Sequence, residues 1–244
     1  MKYQYFKNVN YEDFAGGRVI YNRPGYTNFP VRLAGEIFMN CLETIGKSNE
    51  QVVIYDPCCG GAYLLTVLGF LCAANIDSVY ASDISEEAVL LAGDNLGLLT
   101  EQGLDRRRMQ LEKMYNEYGK ESHLGAIHSA DNLLKFIRSR NHPIHYHVFS
   151  ADMMKVDSLS GANFQADIII TDVPYGKLTS WISDAPLAID KLLESLIPVL
   201  KENSIIAISS DKGQRATSPN FKLIRRIQVG KRRIELLQHD GEKV

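Results

Sequence analysis

Gln51-Val-Val-Ile-Tyr-Asp56-Pro-Cys-Cys-Gly60-Gly61-Ala62-Tyr-Leu-Leu65 decides how the rest of the chain is read. A run of β-formers ends in an acid, breaks into a turn of small residues, and resumes as an apolar helix to about Ala74. Strand, glycine turn and helix make the first crossover of an open α/β sheet, and that turn lies where such sheets bind ligands. Glycine lets backbone approach a ligand closely, and the first N–H groups of a helix lack partners within it, which suits a carboxylate or phosphate. The turn reads as a cofactor cradle.

Spacing narrows the cofactor. A dinucleotide fingerprint needs G-x-G-x-x-G, but here Ala62 replaces the second glycine and Leu65 the third. A P-loop ends in Gly-Lys-Ser/Thr, and the turn holds no Lys. An acid at the strand end, four residues before the first glycine, resembles instead motif I of class I S-adenosyl-L-methionine-dependent methyltransferases.

With 244 residues and 45% hydrophobic content, the chain is long enough for one sizeable α/β core and short for two. A net charge of −2 requires any nucleic-acid contact to come from a local patch. Cys41, Cys58, Cys59 and Cys72 show no paired CxxC spacing, so neither a disulfide framework nor a zinc cage is expected. His142, His145 and His147 lack a Cys or carboxylate at ligand spacing, and no metal is expected. The opening residues lack an apolar core and no run approaches a membrane span, which points to a cytoplasmic location.

Outward from the cradle, residues 1–48 read as an aromatic arm and a cap helix after Pro30, and residues 49–244 as the main domain. Arg18, Arg23 and Arg32 within the arm leave RNA contact open. Ser78–Asp83 is a second strand ending in an acid suited to two ribose hydroxyls, and Ser85 caps the helix after it. Residues 101–140 carry eight basic and six acidic residues, among them Arg106-Arg107-Arg108, and read as a solvated helical insertion. Ile144–Ser150 is a third strand, followed by Asp152, placed to meet an adenine amino group. Ala166–Asp172 is a fourth, buried strand; a helix over about 185–200 and a fifth strand, Ser204–Ser209, follow. Two strands flanking Gly230-Lys231 close the chain as a hairpin. This succession resembles that of a class I methyltransferase, which implies a Rossmann-like α/β sheet of order 3-2-1-4-5-7-6 with its last strand antiparallel.

The fourth strand runs into Asp172-Val-Pro174-Tyr175-Gly176. Methylating an exocyclic amine requires holding a delocalised nitrogen in line with the methyl donor and accepting hydrogen bonds from its protons. Asp172 and the carbonyl beside Pro174 are suitable acceptors, and Tyr175 offers a stacking surface to a flat base. The run resembles the N/D-P-P-Y/F motif of amino-group methyltransferases, with Val173 in place of the first proline.

Over nearly its whole length the chain resembles the avilamycin-resistance 23S rRNA methyltransferase family. The resemblance is carried by Pro24–Leu33, Asp56–Gly69, Ala81-Ser-Asp83, Tyr118-Gly-Lys120 and Thr171–Gly176. It implies S-adenosyl-L-methionine as cofactor and methylation of a guanine in large-subunit rRNA, with N2 the favoured atom. Expected cofactor contacts are Asp56, Pro57, Cys58, Gly60, Gly61, Tyr63, Asp83, Ile84, Asp152 and Met153; Asp172, Pro174 and Tyr175 are the expected catalytic set. The family's Gly-Ser-Gly turn is Gly60-Gly61-Ala62 here, which sets an extra methyl group near the cofactor.

Residues 211–233 hold eight basic residues and one acid, Asp211, enough to anchor 23S rRNA or its precursor through phosphates. Lys177, Arg225, Arg226, Lys231, Arg232 and Arg233 are the expected RNA contacts. Two alternatives stand beside this reading: an amino-methyltransferase of DNA adenine or protein glutamine, and a non-catalytic rRNA-binding assembly factor.

Overall fold

A computed structural model of the chain describes residues 3–173, 185–211 and 215–240. Its frame is one seven-stranded sheet. The strands are β1 (Val52–Asp56), β2 (Ile76–Asp83), β3 (His145–Ser150), β4 (Ala166–Asp172), β5 (Leu200–Asp211), β6 (Phe221–Val229) and β7 (Arg232–His239). Their order is β3-β2-β1-β4-β5-β7-β6, as the sequence leads one to expect. β1 to β5 pair in parallel, and β7 lies antiparallel between β5 and β6.

Side-chain alternation along the strands divides the core in two. Ile54, Ile168, Ile170 and Ile205 face a layer built on α1 (Val31–Thr44), α2 (Tyr63–Leu71) and α3 (Glu86–Gly97). Tyr55, Ile169, Ile206 and Ile208 face α6 (Ala185–Leu196) through Ile189, Leu192, Leu193 and Leu196. Each such side chain, when fully buried, contributes roughly 1.5–3 kcal/mol. Pro198 lies in the 3-10 turn Ile197–Val199 that ends α6, and β5 begins directly at Leu200, earlier than its apolar run suggests.

Residues 101–140 form two helices, α4 (Glu101–Tyr118) and α5 (Glu121–Arg138), separated by Gly119 at φ +62°. Their apolar stripe, including Leu104, Leu111, Ala130 and Leu133, joins the first layer. The arginine triplet is partly consumed inside the protein. Arg107 is buried, donates to the carbonyls of Val19 (2.9 Å) and Arg18 (3.2 Å), and lies over the Tyr21 ring. Arg108 is held by Asp131 (2.6 Å) and Glu112 (2.7 Å).

The insertion thereby grips the N-terminal arm. Arg18 reaches Ser129 Oγ (2.7 Å) and the Gly125 carbonyl (3.1 Å) on α5. At its other end the arm is tied to α1, where buried Glu36 accepts the backbone N–H groups of Gln4, Tyr5 and Phe6 at 2.6–3.1 Å. Arg32 donates to the Phe6 carbonyl and Arg23 pairs with Glu87 on α3. All three arginines of the arm thus have partners within the fold.

Candidate active site

Three carboxylates mark the C-terminal edge of the sheet: Asp56 ends β1, Asp83 ends β2 and Asp172 ends β4. The parallel register pairs Asp56 with Ala81 of β2, and Tyr55 with Ile169 of β4. Asp83 and Asp172 therefore both stand two residues above Asp56, one on each side. With strands spaced about 4.8 Å apart, the two outer acids face each other at roughly 10 Å across the top of β1. A ligand lying on the glycine turn would meet all three.

The turn is built by local backbone bonds. Asp56 Oδ1 accepts the Cys58 N–H (3.1 Å), and Cys59 N–H donates to the Ser82 carbonyl (2.9 Å). Gly60 sits at φ +52° and donates its N–H to Asp83 Oδ2 (2.9 Å). The other oxygen of Asp83 accepts the Ser85 N–H (3.0 Å). A carboxylate has about four acceptor sites. With two given to backbone, Asp83 keeps two, the number a ribose diol requires.

Ala62 also adopts a left-handed conformation, at φ +52°, a strain of about 1–2 kcal/mol for a non-glycine residue. Its methyl is fully buried in the layer shared by α1 and α2. The departure from Gly-Ser-Gly thus falls on the backbone, and the side chain takes up core space. Gly61 is closely packed as well: a Cβ there would come within 2.7 Å of Leu91.

The arm reaches this turn. Asn95, buried on the apolar stripe of α3, donates from Nδ2 to the carbonyls of Gly61 (2.8 Å) and Tyr21 (3.0 Å). Its Oδ1 accepts the Tyr21 N–H (2.8 Å). The Tyr26 ring lies 3.4 Å from where a side chain on Gly60 would begin, and so borders the turn. Sequence reasoning missed both residues, although an Asn in the stripe Ala88-Leu91-Ala92-Asn95-Leu96 was a legible signal.

Burial raises the Asp56 pKa to about 7, and the nearby charges of Asp83 and Asp172 add to the shift. The Thr171 hydroxyl and the Cys58 N–H oppose it. That hydroxyl is buried and makes no hydrogen bond among the described residues, so it acts as a nearby dipole.

Asp172 is held by side chains. Ser209 Oγ–H donates to Oδ1 at 2.7 Å, and a single nitrogen of Arg232, Nη1, lies 2.6 Å from Oδ1 and 2.7 Å from Oδ2. The guanidinium rests on the Phe29 ring, 4.9 Å from its centroid. Burial raises the Asp172 pKa, while Ser209 and Arg232 pull it back. Beside the pair is a cavity of about 320 Å³ whose lining includes Tyr3, Pro30, Asp211, Lys231 and Arg232.

The remaining expected residues divide as follows. Ile84 is 66% exposed at the rim beside Asp83, an apolar surface that a flat ligand would cover. The Pro57 carbonyl accepts the Ser82 hydroxyl, and the half-buried Cys58 thiol is pushed well above its ordinary pKa by burial. The Tyr63 hydroxyl donates to the Phe14 carbonyl (2.7 Å), so its polar end serves the arm. Asp152 accepts the Met154 N–H, and the buried Met153 sulfur lies 3.8 Å from the Tyr55 hydroxyl. Pro174, Tyr175 and Lys177 lie outside the described residues.

Among the basic residues of the hairpin, Arg225 bonds Asn40 and Arg226 pairs with Glu235 (2.9 Å); both line a cleft of about 650 Å³. Lys231 is exposed, and Arg233 lies across from Ser210 on β5. Arg232, grouped by sequence with the phosphate contacts, is turned onto Asp172. Among the described residues there is no cluster that could hold a metal ion, and no helix is long and apolar enough to cross a membrane.

Comparison with known proteins identifies the family. The family model of the rRNA methyltransferase AviRa matches residues 1–232. The 23S rRNA (guanine(2535)-N(1))-methyltransferase of Streptomyces viridochromogenes is 33% identical over 235 residues, covering 95% of this chain and 93% of that protein. A solved structure of rRNA methyltransferase aviRa from Streptomyces viridochromogenes is 32% identical, with a TM-score of 0.85 over 95% of this chain and 93% of its own. TrmN from Thermus thermophilus, at 16% identity and a TM-score of 0.51, covers 86% of this chain and 49% of its own, and shares the fold alone. The curated relative is named for the ring nitrogen N1, so the expected preference for N2 finds no support in it. Matched from its first residue into the terminal hairpin, the chain belongs to the AviRa family of rRNA methyltransferases.

Proposed function

We propose that this protein transfers the methyl group of S-adenosyl-L-methionine to N1 of a guanine in 23S rRNA. One observation carries the reading: Asp172 stands in phase with Asp83 across the glycine turn, in a chain one-third identical to a guanine N1-methyltransferase. When bound, the cofactor supplies an electrophilic methyl group on a sulfonium. Asp83 would hold the ribose through its two spare acceptor sites, and Ile84 would cover one face of the adenine. Asp152, with Met153, would meet the adenine edge. Asp56, Pro57, Cys58, Gly60, Gly61 and Tyr63 would shape the methionine end of the site.

Guanine N1 carries a proton, and its lone pair becomes nucleophilic only as that proton leaves. Asp172 would accept it, with Pro174 and Tyr175, as in the sequence reading, holding and stacking the base. A base buried in a helix cannot reach this edge, so the target nucleotide must leave its stack, which costs a few kcal/mol. Lys177, Arg225, Arg226, Lys231 and Arg233 would anchor phosphates around it. In this reading residues 49–244, with the insertion 101–140, are the methyltransferase domain, and residues 1–48 cap it.

A second reading, methylation of the exocyclic N2, is favoured by the run Asp172-Val-Pro174-Tyr175. Digestion of 23S rRNA after incubation with the protein and labelled cofactor, followed by mass spectrometry of the nucleosides, separates the two. The expected product is N1-methylguanosine, which also halts reverse transcription because the methyl occupies the pairing edge. N2-methylguanosine would move the reaction to the exocyclic amine. Label in DNA or protein, with none in 23S rRNA, would overturn both readings.

A further inference from the structure

Asp172 lies in a contradictory setting for a proton acceptor. It is mostly buried, with its side chain 18% exposed, and a carboxylate withdrawn from water tends to protonate. A protonated carboxyl cannot take a proton from the target. Asp56 stands at the neighbouring strand end, where the charge of Asp172 adds to the rise of its own pKa. Among the described residues, the groups facing Asp172 are Ser209 from β5, Arg232 from β7 and Asp56 from β1. Of these only Arg232 carries positive charge.

The contact geometry is informative. A guanidinium can bind a carboxylate as a two-pronged fork, with a separate N–H on each oxygen. Here one nitrogen lies between the two oxygens, 2.6 and 2.7 Å away, and Ser209 takes a second position on Oδ1 only. Among the described residues, Oδ2 therefore has one contact where Oδ1 has two. Arg232 itself is fixed by its strand register opposite Asp211 and by the Phe29 ring beneath it. Its side chain is 20% exposed, so the pair is far less screened than a surface ion pair.

We infer that Arg232 is a positioning residue for methyl transfer: it keeps Asp172 ionised in a dry site and turns Oδ2 toward the target base. The inference rests on the proposed role of Asp172. In the step it serves, the N1–H bond of guanine breaks and the proton passes to Asp172 Oδ2. The pair left on the base spreads over N1 and O6, and N1 forms its new bond to the methyl carbon as the carbon–sulfur bond breaks toward sulfur. Charge balances, since the carboxylate becomes neutral, the base stays neutral after methylation, and the cationic donor leaves as a neutral thioether with Arg232 unchanged.

The test is the pH dependence of kcat at saturating 23S rRNA transcript and saturating tritiated S-adenosyl-L-methionine, for wild type, Arg232→Ala, Arg232→Gln and Arg232→Lys. Removing an adjacent cation raises a carboxyl pKa by about 1–3 units. The Ala and Gln variants should therefore lose activity tenfold or more on the acid side, with the acid limb displaced upward by about that amount and recovery toward alkaline pH. The Lys variant should retain most of the wild-type profile. A residue that merely supports the fold, or merely binds phosphate, would scale activity or raise KM without moving the limb. An unmoved limb in the Ala or Gln variant, whichever folds, would overturn the inference. Asp172→Asn, run in parallel, isolates the underlying assumption: if it transfers methyl at the wild-type rate, the role of Asp172 fails first.

Discussion

Two acids flank the top of β1, and they are held in opposite ways. Asp83 is fixed by two backbone N–H groups, from Gly60 and Ser85, both within one strand–helix–strand unit. Asp172 is fixed by two side chains, Ser209 and Arg232, that lie 37 and 60 residues further along the chain. Backbone donors are set once the turn forms, whatever the remainder of the protein does. Side-chain partners from β5 and β7 require the whole sheet, including its terminal hairpin, to be assembled. On the proposed function, the cofactor half of the site is thus a local device and the target half a long-range one.

If that contrast is right, losses on the two sides should look different. On the proposed function, replacing Asp83 with Ala removes two charge-assisted hydrogen bonds to the ribose, worth about 1.5–3 kcal/mol each. Titration calorimetry should show a donor Kd raised by about 10²–10⁴-fold, while kcat at saturating donor stays within about threefold. A fall in kcat with unchanged Kd would place Asp83 on the target side and dissolve the comparison.

Asp56, between the two, gives a smaller effect of predictable sign. Its pKa rises from 3.8 in the open chain to about 7 in the fold, so between those values the folded protein binds the extra proton. Stability from this group is greatest at low pH and is lost as pH climbs toward 7. Asp56→Asn removes the titration. In urea unfolding the variant should gain about 1–3 kcal/mol relative to wild type between pH 5 and pH 8. An equal offset at both pH values would mean that Asp56 ionises freely in the fold.

The smallest effect concerns the support beneath Arg232. Phe29→Leu keeps an apolar side chain at a buried position but removes the ring face, worth about 0.5–1 kcal/mol. Thermal melts should shift by a few degrees at most, and the acid limb of kcat should move in the direction expected for Arg232→Gln, by a smaller amount. No movement in the limb would confine Phe29 to packing.

The same contrast explains what could be read from the residues. β1, its glycine turn, α2 and β2 follow from periodicity and turn chemistry within 32 residues, and the acid at the β2 tip was legible there. The insertion and the hairpin were also visible, as a polar helical stretch and as two strands around Gly230-Lys231. The partner of Asp172 was not, because Arg232 sits in a run of basic residues that local reasoning assigns to phosphate, and only the β5–β7 pairing turns it inward. Ala62 shows the complementary limit. Its departure from glycine was plain, but whether the methyl met ligand or core depended on the packing of a core layer drawn largely from outside the motif. The choice between N1 and N2 was beyond the motif too, since a carboxylate at a strand tip accepts a proton from either nitrogen.

The most direct test of the central claim is single-turnover methyl transfer by Asp172→Asn to 23S rRNA, with donor affinity measured on the same preparation. Asn keeps the shape and can still accept a hydrogen bond, but it cannot take a proton. The account predicts a donor Kd within about twofold of wild type and a transfer rate lower by about 10²–10⁴-fold. Transfer at the wild-type rate, or loss of donor binding in step with loss of transfer, would contradict it.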